Sequence, residues 1–251
     1  MQKGYKNPII ESTKDIGRLI NKFLKKIGLE LKSYPDFDTK RRMKIIHNYK
    51  INTLFDIGAN RGQYSKNIRE IGYKGKIISF EPLESAFQEL KKVSSKNKNW
   101  IINNYGLGNK NTKSIINVAG NSYSSSILEM LPSHFNSAPE SKYIAQQEID
   151  IRTLDSIYKS FCNSKDNVMI KIDTQGYEKN VLEGATKSLK NIKIIQLEMS
   201  IIPLYKNEML FIEMIQYLDK RGFQLFSLEN GFADPSTGQL LQVDGIFVPK
   251  K

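Results

Sequence analysis

Cysteine is almost missing from this chain. Cys162 stands alone among 251 residues, which excludes an internal disulfide and suits a reducing compartment. Histidine is nearly as scarce, with only His47 and His134, so the commonest general base has two candidates. No uninterrupted apolar run approaches the roughly 18 residues of a membrane span. The start, Met1-Gln-Lys-Gly-Tyr-Lys-Asn-Pro8, lacks the apolar core of a signal peptide. A cytoplasmic protein is expected. Acidic residues are also in deficit: 26 Asp and Glu against 38 Lys and Arg leave a formal charge of +12. Such a charge invites a nucleic-acid partner. The lysines are spread through almost every segment, however, and neither an aromatic-basic RNA motif nor a zinc-finger spacing occurs. Nucleic acid is therefore not the expected partner; an anionic sugar, lipid or membrane surface fits the excess better.

What remains is the composition of a globular protein, 39% hydrophobic and 25% charged, long enough for a sizeable core. Residues 1–50 read as a helical extension. Ile16, Leu19, Ile20, Phe23, Leu24 and Ile27 recur at helical spacing among Lys14, Arg18, Lys22, Lys25 and Lys26. That stripe predicts a helix packed on the main domain or on a second subunit; the sharper alternative is a basic amphipathic helix, residues 14–27, at an anionic membrane. A Tyr34-Pro-Asp36 turn then leads to a second helix through about Tyr49. The oligomeric state is left open.

Residues 51–251 read as one domain of alternating strands and helices. Strands are expected at Thr53–Ile57, Lys76–Phe80, Trp100–Asn104, Val168–Ile172 and Lys193–Leu197. Helices are expected over Gln63–Ile71, Ser85–Val93, Glu178–Leu189 and Glu208–Arg221. Two closing strands, Phe223–Leu228 and Leu240–Val248, flank a turn-rich segment and suggest an antiparallel hairpin. The alternation predicts an α/β fold with a mostly parallel seven-stranded sheet. It pauses over about 109–150, an insertion with an extra strand at Lys113–Val118, a polar loop over 121–126 and another strand at Glu148–Arg152. An insertion of that length reads as a lid or substrate loop.

The organising stretch is Thr53-Leu-Phe-Asp-Ile-Gly-Ala-Asn-Arg-Gly62: a buried strand, a glycine turn and a helix start, the nucleotide-binding opening of an α/β sheet. Dinucleotide enzymes use G-x-G-x-x-G to seat a pyrophosphate. Here Asp56 precedes Gly58 by two residues and Asn60 takes the place of the second glycine. A carboxylate there repels a pyrophosphate but accepts hydrogen bonds from an amine, which suits S-adenosylmethionine. Glu81, just past the second strand, is placed to hold both ribose hydroxyls. Its plainer reading is a charge at a helix start, with Pro82 in the first helical position.

Five motifs in order, Phe55-Asp-Ile-Gly-Ala-Asn-Arg-Gly62, Phe80-Glu-Pro82, Asn104-Tyr-Gly-Leu-Gly108, Lys171-Ile-Asp-Thr-Gln-Gly-Tyr-Glu178 and Gln242-Val-Asp-Gly-Ile-Phe247, resemble the FkbM-type methyltransferases. The resemblance covers roughly 52–248. It implies a Rossmann-like methyltransferase fold, S-adenosylmethionine as methyl donor, and O-methylation, commonly of sugar hydroxyls in polysaccharides, glycolipids or natural products. Carried over to this chain, Asp56, Gly58 and Asn60 would meet the methionine part of the donor, within a turn completed by Gly62 and Tyr64. Glu81, beside Pro82, would take the ribose, and the turn from Asn104 through Gly106 would edge the adenine. Two departures stand out: family members often have Ala where Gly106 stands, and many have Glu where Gln175 stands.

A hydroxyl acceptor needs its proton removed as it attacks. Asp173 and Glu198 follow central strands, and Asp244 opens the last one. All three are expected to converge at the carboxyl edge of the sheet, with Asp173 also beside the donor. Their mutual repulsion would raise at least one pKa. A divalent cation held there is an alternative, though no metal is assigned. Plainer readings are a helix cap for Asp173 and lysine salt bridges for Glu198 and Asp244. His134, in the insertion, is a further base candidate. The competing functions are a nicotinamide-dependent oxidoreductase, which the acid at 56 and the missing glycine disfavour, and a basic surface-binding protein without catalysis.

Overall fold

The computed structural model describes residues 8–250, with side chains from residue 16 onward. The chain start read above for a signal peptide, and the side chain of Lys14, therefore lie outside the described residues. The chain divides into two compact units, residues 1–42 and 43–251. The first holds α1, Pro8–Leu24, a 3-10 turn closed by Gly28 in a left-handed conformation (φ 74°), and the start of α2, Phe37–Asn48. The Asp36 carboxylate caps α2 by accepting from Thr39 N at 2.8 Å. Among the described residues no helix is long and apolar enough to cross a membrane.

The second unit is built on ten strands: β1 Thr53–Ile57, β2 Lys76–Phe80, β3 Trp100–Asn103, β4 Gly106–Leu107, β5 Thr112–Ala119, β6 Tyr143–Arg152, β7 Val168–Ile172, β8 Ile192–Ser200, β9 Phe223–Asn230 and β10 Gln242–Pro249. Between them run α3 Gln63–Glu70, α4 Glu84–Ser94, α5 Pro132–Ser137, α6 Leu154–Phe161, α7 Glu178–Glu183 and α8 Phe211–Asp219. Seven strands form one sheet in the order β3-β2-β1-β7-β8-β10-β9. Its members are parallel except β10, which is antiparallel to both its neighbours. This is the mostly parallel seven-stranded sheet expected from the alternation, with the C-terminal hairpin closing one edge.

The strands are apolar on both faces because helices cover both. Phe55, Ile57, Phe80, Ile170, Ile172 and Leu197 build the core on one side, while Leu54, Ile77, Met169, Ile194 and Ile246 build it on the other. Phe55 and Phe80 stack at 5.9 Å and both are fully buried, each side chain worth about 1.5–3 kcal/mol of transfer free energy.

The insertion carries its own three-stranded sheet, β4-β6-β5, in which β6 begins at Tyr143, five residues before the sequence-based strand. Ile116, Ile149 and Ile151 of this sheet pack on Leu83 and Ala86 at the start of α4. It is thus anchored beside the end of β2. Two helices are shorter than their periodicity suggests. α7 stops at Glu183 because Gly184 presses against the chain at Gly108: a Cβ there would lie 1.9 Å from the Gly108 carbonyl oxygen. α8 starts only at Phe211 because Glu208 folds back to accept from the backbone N–H groups of Leu204 and Tyr205 and from Ser200 Oγ. β8 also runs to Ser200, so Glu198 lies within the strand rather than after it.

Candidate active site

The turn after β1 uses left-handed backbone at Gly58 (φ 75°), Asn60 (φ 47°) and Gly62 (φ 85°). Gly58 is required by a close approach: a Cβ would sit 1.8 Å from the backbone oxygen of Asp173. Asp173 N in turn donates to Ile57 O at 3.0 Å. The glycine turn and the end of β7 are therefore one structure. Gly62 serves packing instead, since a Cβ there would meet Leu90 at 2.8 Å and Trp100 at 3.2 Å. The N–H groups of Gly58 and Ala59 donate to Phe80 O, that of Asn60 to Glu81, that of Arg61 to the Asn60 side chain, and that of Gly62 to Ala59 O. A turn whose donors are spent internally is not a phosphate cradle, in keeping with the acid at position 56.

Glu81 is 4% exposed. Its Oε2 accepts from Asn60 N at 2.7 Å and its Oε1 from Leu83 N at 2.9 Å. Burial lifts its pKa to about 7 against the pull of those two bonds. Each oxygen keeps a lone pair, which fits a ribose diol at the end of β2. The Asn104 amide donates to the Glu81 carbonyl at 3.1 Å, and Pro82 O accepts from Gln147 Nε2 at 3.2 Å. Asn104 thus ties the chain after β3 to this corner, and Pro82 fastens the corner to the insertion. The glycine at 106, where family members often have Ala, has its reason in the structure: a Cβ there would lie 2.8 Å from Ile151 Cδ1, so isoleucine fills the space an alanine would take.

Two expected donor contacts need correction. Asp56 is completely buried, accepting from Ser65 Oγ at 2.6 Å, with Lys171 Nζ 3.6 Å away. Burial raises its pKa and Lys171 opposes the rise. It supports the turn from beneath and presents no surface to a ligand. Tyr64 likewise turns to the sheet, its hydroxyl donating to Gln196 Oε1 at 2.7 Å and its ring lying 5.3 Å from Lys171 Nζ. Asn60 reaches outward, its amide donating to Ser122 O at 3.2 Å. The polar loop of the insertion therefore touches the glycine turn. Ser126 Oγ also donates to Gln175 O at 2.6 Å.

The strand registers explain the rest. Ser79, Asp56, Lys171 and Gln196 stand side by side across β2, β1, β7 and β8. Towards the carboxyl edge, Glu198 faces Asp244, which faces Glu229 on β9. One sheet face is thus apolar at its base and polar where the strands end. Asp173, with 36% of its side chain exposed, has both oxygens held: Oδ2 by Lys171 Nζ at 3.1 Å and Oδ1 by Gln175 Nε2 at 2.7 Å. The same Gln175 nitrogen donates to Glu198 Oε2 at 2.8 Å, joined there by Gln242 Nε2 at 2.9 Å. Tyr205 fixes the amide by donating to Gln175 Oε1 at 2.7 Å. Burial raises the pKa of Glu198 well above the carboxylate range, and the charges of Asp173 and Asp244 add to the rise. The structure therefore brings Asp173, Glu198 and Asp244 together.

His134 does not join them. It is 3% exposed, wedged edge-on to Tyr205 at 5.1 Å and beside Phe232 at 5.6 Å, and burial lowers its pKa to about 4. A ring so reluctant to accept a proton, and screened from the carboxylates by Tyr205, is a packing residue. Asp173 does not cap α7 either: Tyr177 occupies that position, and Glu178 accepts from Thr174 N at 2.8 Å. Among the described residues no group of three or more His, Cys, Asp or Glu side chains is arranged to hold a metal ion. Lys171 and Gln242 open two of the motifs quoted above but carry no role in the sequence reading, and Tyr205 is absent from it. The one signal was a lysine inside the buried run Val-Met-Ile-Lys-Ile, which demands carboxylate partners.

The model of the methyltransferase FkbM domain matches residues 56–225. No curated protein matches the chain. Among solved structures, one assigned as a tRNA methyltransferase of Streptococcus pneumoniae, in complex with S-adenosyl-L-methionine, is 13% identical and aligns over 84% of this chain and 73% of its own, with a TM-score of 0.46. A precorrin-6y C5,15-methyltransferase of Geobacter metallireducens is 12% identical over 88% of this chain and 93% of its own, at 0.45. An rRNA methylase of Streptococcus thermophilus is 9% identical over 84% and 97%, also at 0.45.

Proposed function

Because the chain belongs to the FkbM methyltransferase family, with S-adenosylmethionine as methyl donor, we propose that it methylates a hydroxyl oxygen, and that the hydroxyl belongs to a sugar. The observation that carries this reading is the convergence of Asp173, Glu198 and Asp244 at the strand ends, with Asp173 against the glycine turn. Hydroxyl-rich acceptors are recognised by such a set of carboxylate and amide groups, which accept from and donate to several hydroxyls at once.

When bound, S-adenosylmethionine supplies a methyl group made electrophilic by its sulfonium. Glu81 holds the ribose hydroxyls through its free lone pairs. Asp173, oriented by Lys171 and Gln175, would accept the proton of the acceptor hydroxyl as that oxygen attacks, the bound donor supplying the methyl group and leaving as its neutral thioether. Base assistance of this kind is worth about 10²–10⁴-fold, and alignment of the two reactants about 7–11 kcal/mol. Glu198, whose pKa is raised by burial and then by the charges of Asp173 and Asp244, shares the Gln175 amide with Asp173 and would offer the acceptor a further polar contact.

The test is methyl transfer from isotope-labelled S-adenosylmethionine to a panel of free sugars, nucleotide sugars, glycolipids, RNA and small amines. Label in base-stable ether linkage on a sugar supports the reading. Label confined to RNA bases or to amines would overturn the acceptor assignment while leaving the methyltransferase intact.

A further inference from the structure

The sheet row described above contains one cation that the reaction scheme uses only in passing. Lys171 sits on β7, the central strand, with 8% of its side chain exposed. Its ammonium lies 3.6 Å from Asp56 Oδ1, beneath the glycine turn, and 3.1 Å from Asp173 Oδ2, at the strand end. The Tyr64 ring covers it at 5.3 Å and is itself tied to Gln196. The buried lysine therefore has one carboxylate on the donor side and one on the acceptor side.

We propose that Lys171 is a positioning residue that joins the two halves of the site: anchored by Asp56, it aims the Asp173 carboxylate at the point where the methyl group leaves the donor. A buried lysine whose only work was to neutralise Asp56 would need no second partner at hydrogen-bond distance. Here the shorter contact is the one to Asp173, and Gln175 fixes the other oxygen of the same carboxylate. With both oxygens held, the exposed lone pairs have a set direction. Burial pulls the pKa of Lys171 down, but Asp173 and then Asp56 outweigh it and leave the ammonium charged. The proposal rests on the methyltransferase reading and extends it to a residue inside the sheet.

The experiment needs no acceptor. Calorimetry compares S-adenosylhomocysteine with sinefungin, the analogue in which C–NH3⁺ replaces S⁺–CH3, so that an ammonium occupies the position of the transferred methyl. Wild type should bind sinefungin about tenfold or more tightly than S-adenosylhomocysteine, because a held carboxylate meets the ammonium. Asp173→Asn should bring the ratio to about twofold or less. Lys171→Met should lower the ratio to a similar level. The double variant Lys171→Met/Asp56→Asn removes the unbalanced buried charge and should recover thermal stability relative to Lys171→Met. If Lys171 positions Asp173, the double variant regains stability but not the ratio. If it regains both, Lys171 only balances Asp56 and the proposal fails. A wild type that binds S-adenosylhomocysteine without preferring sinefungin also overturns it, while failure to bind either ligand overturns the methyltransferase reading itself.

Discussion

A Cβ at Gly58 would fall 1.8 Å from the backbone oxygen of Asp173. Two residues 115 positions apart are thus in van der Waals contact at the seam between β1 and β7, where the donor turn meets the candidate base. Gly58→Ala has no tolerable geometry, since the residue also needs φ of 75°. It should lose about 1–3 kcal/mol of stability from backbone strain alone, and S-adenosylhomocysteine affinity with it. Urea unfolding and calorimetry on the same sample measure the two together. Wild-type stability in the variant would show that the turn and β7 are not locked.

Two buried carboxylates, Glu81 and Glu178, have pKa values raised to about 7 by burial. A raised folded-state pKa means that the native state binds the proton more tightly than the unfolded chain, so each group lowers stability as pH rises from about 4.5 to 7. Glu178→Gln removes one such contribution while leaving Thr174 N an acceptor. The variant should gain on wild type steadily across that window, by up to a few kcal/mol in total, and hold a constant margin above it. Denaturant midpoints at four pH values would reveal the trend; a margin independent of pH would refute the assignment.

His134 should behave in the opposite sense. Its folded pKa of about 4 lies below the unfolded value of 6.5, so the unfolded chain takes up the proton first and stability falls as pH drops from 6.5 to 4. His134→Phe should soften that acid loss and leave methyl transfer near the wild-type rate. Loss of transfer with donor binding intact would restore His134 as a base.

Tyr205→Phe deletes the hydroxyl that donates to Gln175 Oε1 at 2.7 Å. The amide oxygen is left without that donor, at a cost of about 1–3 kcal/mol, and the amide that holds Asp173 and Glu198 loses the bond that fixes it from behind. Turnover should drop about tenfold or more while S-adenosylhomocysteine affinity changes little. An unchanged rate would mean that Gln175 needs no fixing.

Much of this was legible before any coordinates. The strands from Thr53, Lys76 and Val168 are short apolar runs bounded by turn residues, and a sheet buried on both faces leaves that mark. Asp173, Glu198 and Asp244 could be brought together on topology alone, because parallel strands end on one edge and an antiparallel strand begins there. What could not be read was orientation. Asp56 is one residue in a strand buried on both sides, and only the fold reveals that it points at Ser65 and Lys171 rather than at the cleft. Lys171 was opaque for the same reason, its partners arriving from β1 and from the strand end. The ends of α7 and α8 depend on Gly108 and on Leu204, contacts that local periodicity does not carry. His134 seemed available because its segment has no period; Tyr205 and Phe232, distant in sequence, enclose it.

In the proposed mechanism Asp173 removes the acceptor proton beside a donor held at the glycine turn and Glu81. The most direct measurement pairs two readings on Asp173→Asn: single-turnover methyl transfer to the accepted substrate, and S-adenosylhomocysteine affinity by calorimetry. The expected result is a fall in transfer of about 10²–10⁴-fold with affinity within about threefold of wild type. Transfer at the wild-type rate with unchanged affinity would contradict it.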